Sequence, residues 1–179
     1  PEVILTNTTV YGPIGRGGFG PLFAWARSRP DLDLWGLTDH LGGRNTPGQD
    51  PAYIVPYHLQ SYWLAARGPV LTSTAWANYW HDLDIATYED AVTRHEHAFT
   101  EYFTRLGFTA EAMYPAAGRA VGGLLLDHAS ETLFATDCPV VKRRAFFHEP
   151  PFLPHDSWLA VLHEMQHRGY PASLVRDDL

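Results

Sequence analysis

The sequence predicts an α/β fold in which a sheet is flanked by helices. Two short apolar runs, residues 31–39 and 57–64, carry polar side chains where a strand would end, and open α/β sheets bind ligands at the carboxyl ends of their strands. Residues 88–106 instead have apolar side chains at helical spacing and are followed by Gly107, which is typical of a helix and its C-terminal cap. Strand-like and helix-like segments therefore alternate, and a site is expected near the polar strand ends.

The other elements follow from local signals taken in chain order. Pro21 favours a helix start, because its missing N–H costs nothing in the first turn. Ser73 or Thr74 is a suitable N-cap, and Gly169 is a suitable helix end. A long loop rich in Gly, Asn and Pro spans residues 41–56 and has a length often found in active-site lids. The predicted strands are residues 3–5, 33–37, 62–66 and 109–114. The predicted helices are residues 21–27, 73–80, 88–106, 124–135 and 157–168.

Composition excludes several classes of protein. The 179 residues are 45% hydrophobic, enough to build one globular core, and a single domain is expected to span residues 1–179. A formal net charge of -7 without a basic stripe gives little electrostatic attraction for nucleic acid. No apolar run is long enough for a membrane span, and the single cysteine, Cys138, fits a reducing compartment. A cytoplasmic protein is predicted, with no nucleic acid as partner.

A glycine-rich segment matches a nucleotide-binding pattern in an unsuitable context. Residues 15–20 read G-x-G-x-x-G. A dinucleotide site needs the first glycine directly at the end of a strand, where the backbone turns under the pyrophosphate. Residues 7–14 intervene here, so a flexible loop is the favoured interpretation.

A second motif is a literal H-E-x-x-H formed by His163, Glu164 and His167. On a helix this spacing puts both imidazoles on one face, as in zinc hydrolases. A catalytic zinc also needs a third protein ligand, and only Asp177 and Asp178 follow as candidates. A solvated helix face is favoured, and a zinc metallohydrolase stays as an alternative function.

Two further groups of charged residues suggest catalysis and anion binding. Glu96 lies between His95 and His97 in the predicted helix, and a carboxylate held ionised by such neighbours and by a helix N-terminus can accept a proton. Lys142 and Arg143 follow an apolar run and suit a diphosphate or an acidic sugar. An exposed charge and a solvated basic turn are the corresponding alternatives.

Several short blocks of sequence, taken together, resemble the rhamnan synthesis protein F family. They occur in the family's order and span nearly the whole chain. The family's members are bacterial glycosyltransferases, chiefly rhamnosyltransferases, that build cell-surface polysaccharide from nucleotide-activated sugar. The blocks are residues 4–13 (ILTNTTVYGP), 34–39 (LWGLTD), 58–64 (HLQSYWL), 95–96 (HE), 106–108 (LGF), 114–115 (YP) and 138–143 (CPVVKR).

The resemblance implies a partial GT-A-like (Rossmann-like) sheet and a nucleotide-sugar donor, dTDP-rhamnose. Asn7, Thr8 and Thr9 then stand where such enzymes place acidic residues that hold a divalent cation against the donor diphosphate. Thr8 replaces the Asp of the family pattern, which puts Mg²⁺ or Mn²⁺ binding in doubt because these ions prefer anionic oxygen ligands. A metal-independent variant that uses Lys142 or Arg143 to stabilise the leaving-group charge is the alternative.

The resemblance also implies a general base and an acceptor site. Glu96 matches the acidic residue that deprotonates the acceptor hydroxyl in inverting enzymes of this fold. Asp39, Gln60 and Ser61 are expected to face the hydroxyls of the donor and acceptor sugars. The acceptor that the resemblance implies is a saccharide, either free or lipid-linked, and the implied location is the cytoplasm or the inner face of the membrane. The family's N-terminal βα units are expected to be missing from this segment, and a non-catalytic carbohydrate-binding domain is the remaining alternative.

Overall fold

The computed structural model describes residues 1–44, 53–116, 136–143, 146 and 157–177. The described chain divides into two compact units. The first unit holds residues 1–6 and 28–116, and the second holds residues 7–27 and the described residues from 136 onward. The prediction of a single glycosyltransferase-like domain over residues 1–179 stays a prediction.

The first unit is a mixed sheet with helices packed against it, which confirms the predicted α/β class. Its strands are β1 (Glu2–Thr6), β3 (Leu34–His40), β4 (Gly43–Arg44), β5 (Ile54–Val55), β6 (His58–Leu59), β7 (Trp63–Arg67) and β8 (Ala110–Tyr114). Its helices are α2 (Gly68–Leu71), α3 (Thr74–Asp82), α4 (Tyr88–Asp90), a π-helix (Ala91–Glu96) and α5 (His97–Arg105). The second unit contains β2 (Val10–Tyr11), α1 (Gly20–Arg27), β9 (Val141–Lys142), α6 (Ser157–His167) and α7 (Ser173–Arg176).

Strand directions decide which residues share an edge of the sheet. β7 runs antiparallel to β1 and β3, β6 runs antiparallel to β3, and β8 runs parallel to β3. The carboxyl ends of β1, β3 and β8 therefore meet at one edge. The polar residues Gln60 and Ser61 reach the same edge by a different route from the one predicted, because they lie between β6 and β7, which both run antiparallel to β3. The backbone N–H of Gln60 donates to the carbonyl of Thr38 at 3.0 Å.

The core of the first unit lies between this sheet and the helices. Phe99 and Phe103 of α5 and Tyr79 of α3 pack on strand residues such as Leu34 and Leu64, and all five are buried. The apolar spacing of residues 88–106 predicted this buried face. The strands predicted at 3–5, 33–37, 62–66 and 109–114 and the helix at 73–80 are likewise present within a few residues.

The predicted helix 88–106 contains a π-helical segment. Thr87 and Asp90 form a capping box at its start, but the N–H of His97 bonds to the carbonyl of Val92, five residues earlier. A π-helical turn contains more backbone than an α-helical turn, and such turns are often found at functional sites. Apolar periodicity does not reveal it, because the change lies in the backbone hydrogen bonds.

The second unit has its own core, and Tyr11, Val161 and Met165 are among its buried members. β2 pairs antiparallel with β9. The predicted helix 157–168 is α6, which ends at His167, and Gly169 follows this end with a φ of 89° that suits glycine. The helix predicted at 124–135 lies outside the described residues, as do residues 45–52 of the predicted lid.

Removing the N-cap of α3 tests the assignment of Ser73 as that cap. The hydroxyl of Ser73 accepts the N–H of Trp76 at 3.2 Å, so Ser73→Ala is expected to lower the free energy of unfolding by about 1 kcal/mol. Thr74→Ala is the matched control, because Thr74 is exposed inside the first turn, and its change should stay below about 0.5 kcal/mol. Urea unfolding of both variants measures the difference, and equal effects would contradict the assignment of Ser73 as the cap.

Candidate functional site

Glu96 lies at the junction of the π-helix and α5. Its Oε2 accepts a hydrogen bond from the hydroxyl of Ser61, and its Oε1 lies 3.9 Å from Nε2 of His58. The Glu96 side chain is 23% exposed, so it is partly buried and open to solvent. The structure thus brings together two residues, Glu96 and Ser61, that the sequence proposed for the site.

Two buried histidines complete this cluster. His58 on β6 and His97 at the start of α5 have ring centroids 4.7 Å apart. Nδ1 of His58 donates to the carbonyl of Pro56 at 2.9 Å, and Nδ1 of His97 lies 3.0 Å from the hydroxyl of Tyr53. Each ring is also stacked, His58 on His40 and His97 on Tyr53. The rings are held in place by contacts on more than one side.

Burial keeps His97 neutral at physiological pH. Desolvation, together with repulsion from His58 and His40, lowers the pKa of His97 to about 4, although Glu96 opposes the shift. Burial likewise lowers the pKa of His95, again against the opposing charge of Glu96. Neutral rings supply no net charge to stabilise a carboxylate. The flanking imidazoles therefore supply no positive charge at these two positions, and the prediction that they help to hold Glu96 ionised stays a prediction.

The expected contribution of a helix N-terminus is also missing. Glu96 is the last residue of the π-helix, and helical structure begins well before it at Tyr88. A helix dipole acts within the first turn. The hydroxyl of Ser61, which is distant in sequence, donates a hydrogen bond to the carboxylate of Glu96 instead.

Asp39 and Gln60 are buried at the same sheet edge and have protein partners. Oδ1 of Asp39 accepts the N–H of Ala116 at 2.6 Å. Asp39 also interacts with the hydroxyl of Tyr57. The pKa of this hydroxyl is raised, mainly by burial and also by the neighbouring Asp39 carboxylate. Oε1 of Gln60 accepts the hydroxyl of Thr38 at 2.6 Å. These contacts hold both side chains in place, and a role in binding sugars stays a prediction for both residues.

The remaining predicted residues come together in the second unit. Residues Asn7, Thr8 and Thr9 are exposed, and the carbonyl of Thr9 accepts the N–H of Arg143 at 2.8 Å. Lys142 pairs with Val10 across the β2–β9 ladder. The segment 7–9 and the basic pair are therefore neighbours, although more than 130 residues separate them in sequence.

The described residues contain one group of three side chains suited to a metal ion, formed by His58, Glu96 and His97, with ligand atoms within 4.8 Å of one another. Sequence reasoning missed His58 and His97. The available signal was the His-Glu-His triplet at 95–97 and the histidine in block 58–64. The motif at 163–167 gains no such support, because His163 and His167 are exposed and Glu164 pairs with Arg168 at 2.7 Å.

Comparison with protein-family models decides the family. The model of rhamnan synthesis protein F matches residues 1–179, the whole chain. The chain belongs to the rhamnan synthesis protein F family. The resemblance found in the short sequence blocks is thereby confirmed, and family membership links the chain to rhamnan synthesis and thus to polysaccharide biosynthesis. No curated protein and no solved structure gives a significant match.

Among the described residues of this rhamnan synthesis protein F family member, no helix is both long and apolar enough to span a membrane.

Proposed function

We propose that this chain is a catalytic part of an inverting glycosyltransferase that moves rhamnose from dTDP-rhamnose to a growing cell-surface polysaccharide, with Glu96 as the general base. The observation that carries the proposal is the setting of Glu96. It is a partly buried carboxylate, oriented by Ser61 beside two buried histidines, in a family that serves polysaccharide synthesis.

In the proposed reaction, one carboxylate oxygen of Glu96 takes a proton from an acceptor hydroxyl. The acceptor oxygen then forms a bond to the anomeric carbon of the donor, while the bond from that carbon to the diphosphate oxygen breaks. A base must be reachable by its substrate and held in one orientation. The 23% exposure of Glu96 meets the first requirement, and the hydrogen bond from Ser61 meets the second.

The departing nucleoside diphosphate carries negative charge that needs stabilisation. Lys142 and Arg143 supply cationic groups, and the backbone N–H of Arg143 is held by the carbonyl of Thr9. The guanidinium of Arg143 lies 5.1 Å from the ring centroid of Tyr11, which restricts its position. These residues are proposed to bind the diphosphate, with Asn7 and Thr8 beside them.

The GT-A resemblance implies Mg²⁺ or Mn²⁺ at residues 7–9, and these residues do not fit such an ion. None of them is a carboxylate, which both ions prefer. Oδ1 of Asn7 already accepts the N–H and the hydroxyl of Thr9, at 3.1 and 2.5 Å. The proposed reaction therefore assigns no step to a metal at this segment.

Calorimetric titration of dTDP-L-rhamnose into the protein, with and without Mg²⁺, tests the donor assignment. Binding is expected in both conditions with similar affinity. Arg143→Ala should weaken it by about tenfold or more, since a hydrogen bond to a charged group contributes about 1.5–3 kcal/mol. Arg27→Ala is the matched control, because it removes the same charge at an exposed position of the second unit, and it should leave the affinity unchanged.

Three outcomes would argue against this proposal. Absence of binding would remove dTDP-rhamnose as the donor, and equal losses in Arg143→Ala and Arg27→Ala would remove the specific role of Arg143. Binding without any transfer to an acceptor in a membrane extract would favour the non-catalytic carbohydrate-binding alternative.

A further inference from the structure

The cluster of His58, Glu96 and His97 has the composition of a transition-metal site. Two imidazoles and one carboxylate from three positions form a ligand set that proteins use for Zn²⁺ and for other first-row cations. Ligand atoms of all three residues lie within 4.8 Å of one another. Imidazole ligands favour such cations over Mg²⁺, so this cluster differs in chemistry from a diphosphate-bound magnesium site.

The partners of the three side chains strengthen this interpretation. Metal-ligating histidines almost always have their other ring nitrogen hydrogen-bonded, and ligating carboxylates are hydrogen-bonded in turn. Nδ1 of His58 donates to the carbonyl of Pro56, which leaves the lone pair of a neutral ring on Nε2. Nδ1 of His97 contacts the hydroxyl of Tyr53, and Oε2 of Glu96 accepts from Ser61. Each residue thus has an outer partner on one polar atom.

The spacing of His58 and Glu96 is close to that of two ligands of one ion. Nε2 of His58 lies 3.9 Å from Oε1 of Glu96, beyond hydrogen-bond distance. Metal bonds of about 2.1 Å put two tetrahedral ligands about 3.4 Å apart, so the pair needs to close by roughly half an ångström to hold Zn²⁺.

We propose that His58, Glu96 and His97 bind one divalent transition-metal cation, and that the bound ion inhibits sugar transfer by occupying the carboxylate of Glu96. The inhibition rests on the proposed role of Glu96 as general base, whereas the binding does not. A carboxylate oxygen that is bonded to a metal no longer accepts a proton from the acceptor. Metal-free protein is then the active form.

Titration of Zn²⁺ into chelator-treated protein tests the binding directly. One Zn²⁺ per chain is expected, with much weaker binding of Mg²⁺. His97→Ala and Glu96→Gln should each weaken Zn²⁺ binding by about 100-fold or more, since loss of an outer partner alone typically costs 10–100-fold. If His97→Ala fails to fold, Glu96→Gln still tests the site, because it keeps the size of the side chain. Co²⁺ in place of Zn²⁺ should give visible absorption that both variants lose.

The double variant His163→Ala/His167→Ala is the matched control, because it removes two exposed histidines of the second unit. It should bind Zn²⁺ as the original protein does. Absence of stoichiometric binding, or loss of binding in this control with retention in His97→Ala, would overturn the proposed site.

Rhamnose transfer measured with and without Zn²⁺ tests the inhibition. Transfer should persist in chelator and fall when the site is filled. Bound Zn²⁺ with unchanged transfer would overturn inhibition while leaving the metal site intact. If transfer is lost in chelator and restored by Zn²⁺, the proposed inhibition is wrong. The result would then indicate a catalytic metal in place of a general base. Failure of donor binding would affect the proposed function and the inhibition that rests on it, but not the metal site.

Discussion

Glu96→Gln is expected to reduce the rate of rhamnose transfer by about 10²–10⁴-fold, the usual contribution of a positioned general base. An amide of the same size fills the same space and still accepts the hydrogen bond from Ser61, but it does not take a proton from the acceptor hydroxyl. The loss should fall on the turnover number, with donor affinity little changed, because the proposed diphosphate ligands are other residues. Transfer of labelled rhamnose in chelator-treated protein measures it.

Glu89→Gln is the matched control for this experiment. It makes the same change of charge on an exposed residue of α4 and is expected to leave transfer unchanged. Thermal unfolding of both variants checks that the fold is retained. A Glu96→Gln protein that folds and transfers rhamnose at the original rate would refute the assignment of Glu96 as the base.

Much of the secondary structure was predictable because its signals are local. Ser73 is followed by the helix that it caps, Gly169 ends α6 in a conformation that favours glycine, and Phe99 and Phe103 mark the buried face of α5. Each signal involves residues only a few positions apart. Strand direction was less predictable, because the antiparallel pairing of β7 depends on partners distant in sequence.

The candidate site was predictable only in part for the same reason. Glu96 is predicted both from its neighbours in the helix and from the family resemblance, and Ser61 from the resemblance, although 35 residues separate them. The contact between His58 and His97 arises from the packing of β6 beside α5, where the N–H of Leu59 donates to the hydroxyl of Thr100 at 2.9 Å. The π-helix before His97 is a further feature that residue spacing did not reveal.

Phe103→Ala is expected to lower the free energy of unfolding by about 3–5 kcal/mol. The side chain is 0% exposed, and its ring lies 5.0 Å from that of Phe99 and 5.4 Å from that of Tyr79. Truncation removes a large apolar surface and leaves a cavity lined by aromatic rings that are also held by other neighbours. Domains are typically stable by about 5–15 kcal/mol, so the loss is a large fraction of the total. Urea unfolding measures it.

Two companion variants identify the cause of that loss. Phe103→Leu retains much of the apolar volume and should be destabilised by clearly less than Phe103→Ala. Tyr88→Ala removes an aromatic ring that is 85% exposed in α4, and it should change the free energy of unfolding by no more than about 0.5 kcal/mol. Since α5 begins at His97, loosening this helix should also weaken Zn²⁺ binding at the cluster. A Phe103→Ala protein as stable as the original would show that α5 is not anchored to the sheet through this ring.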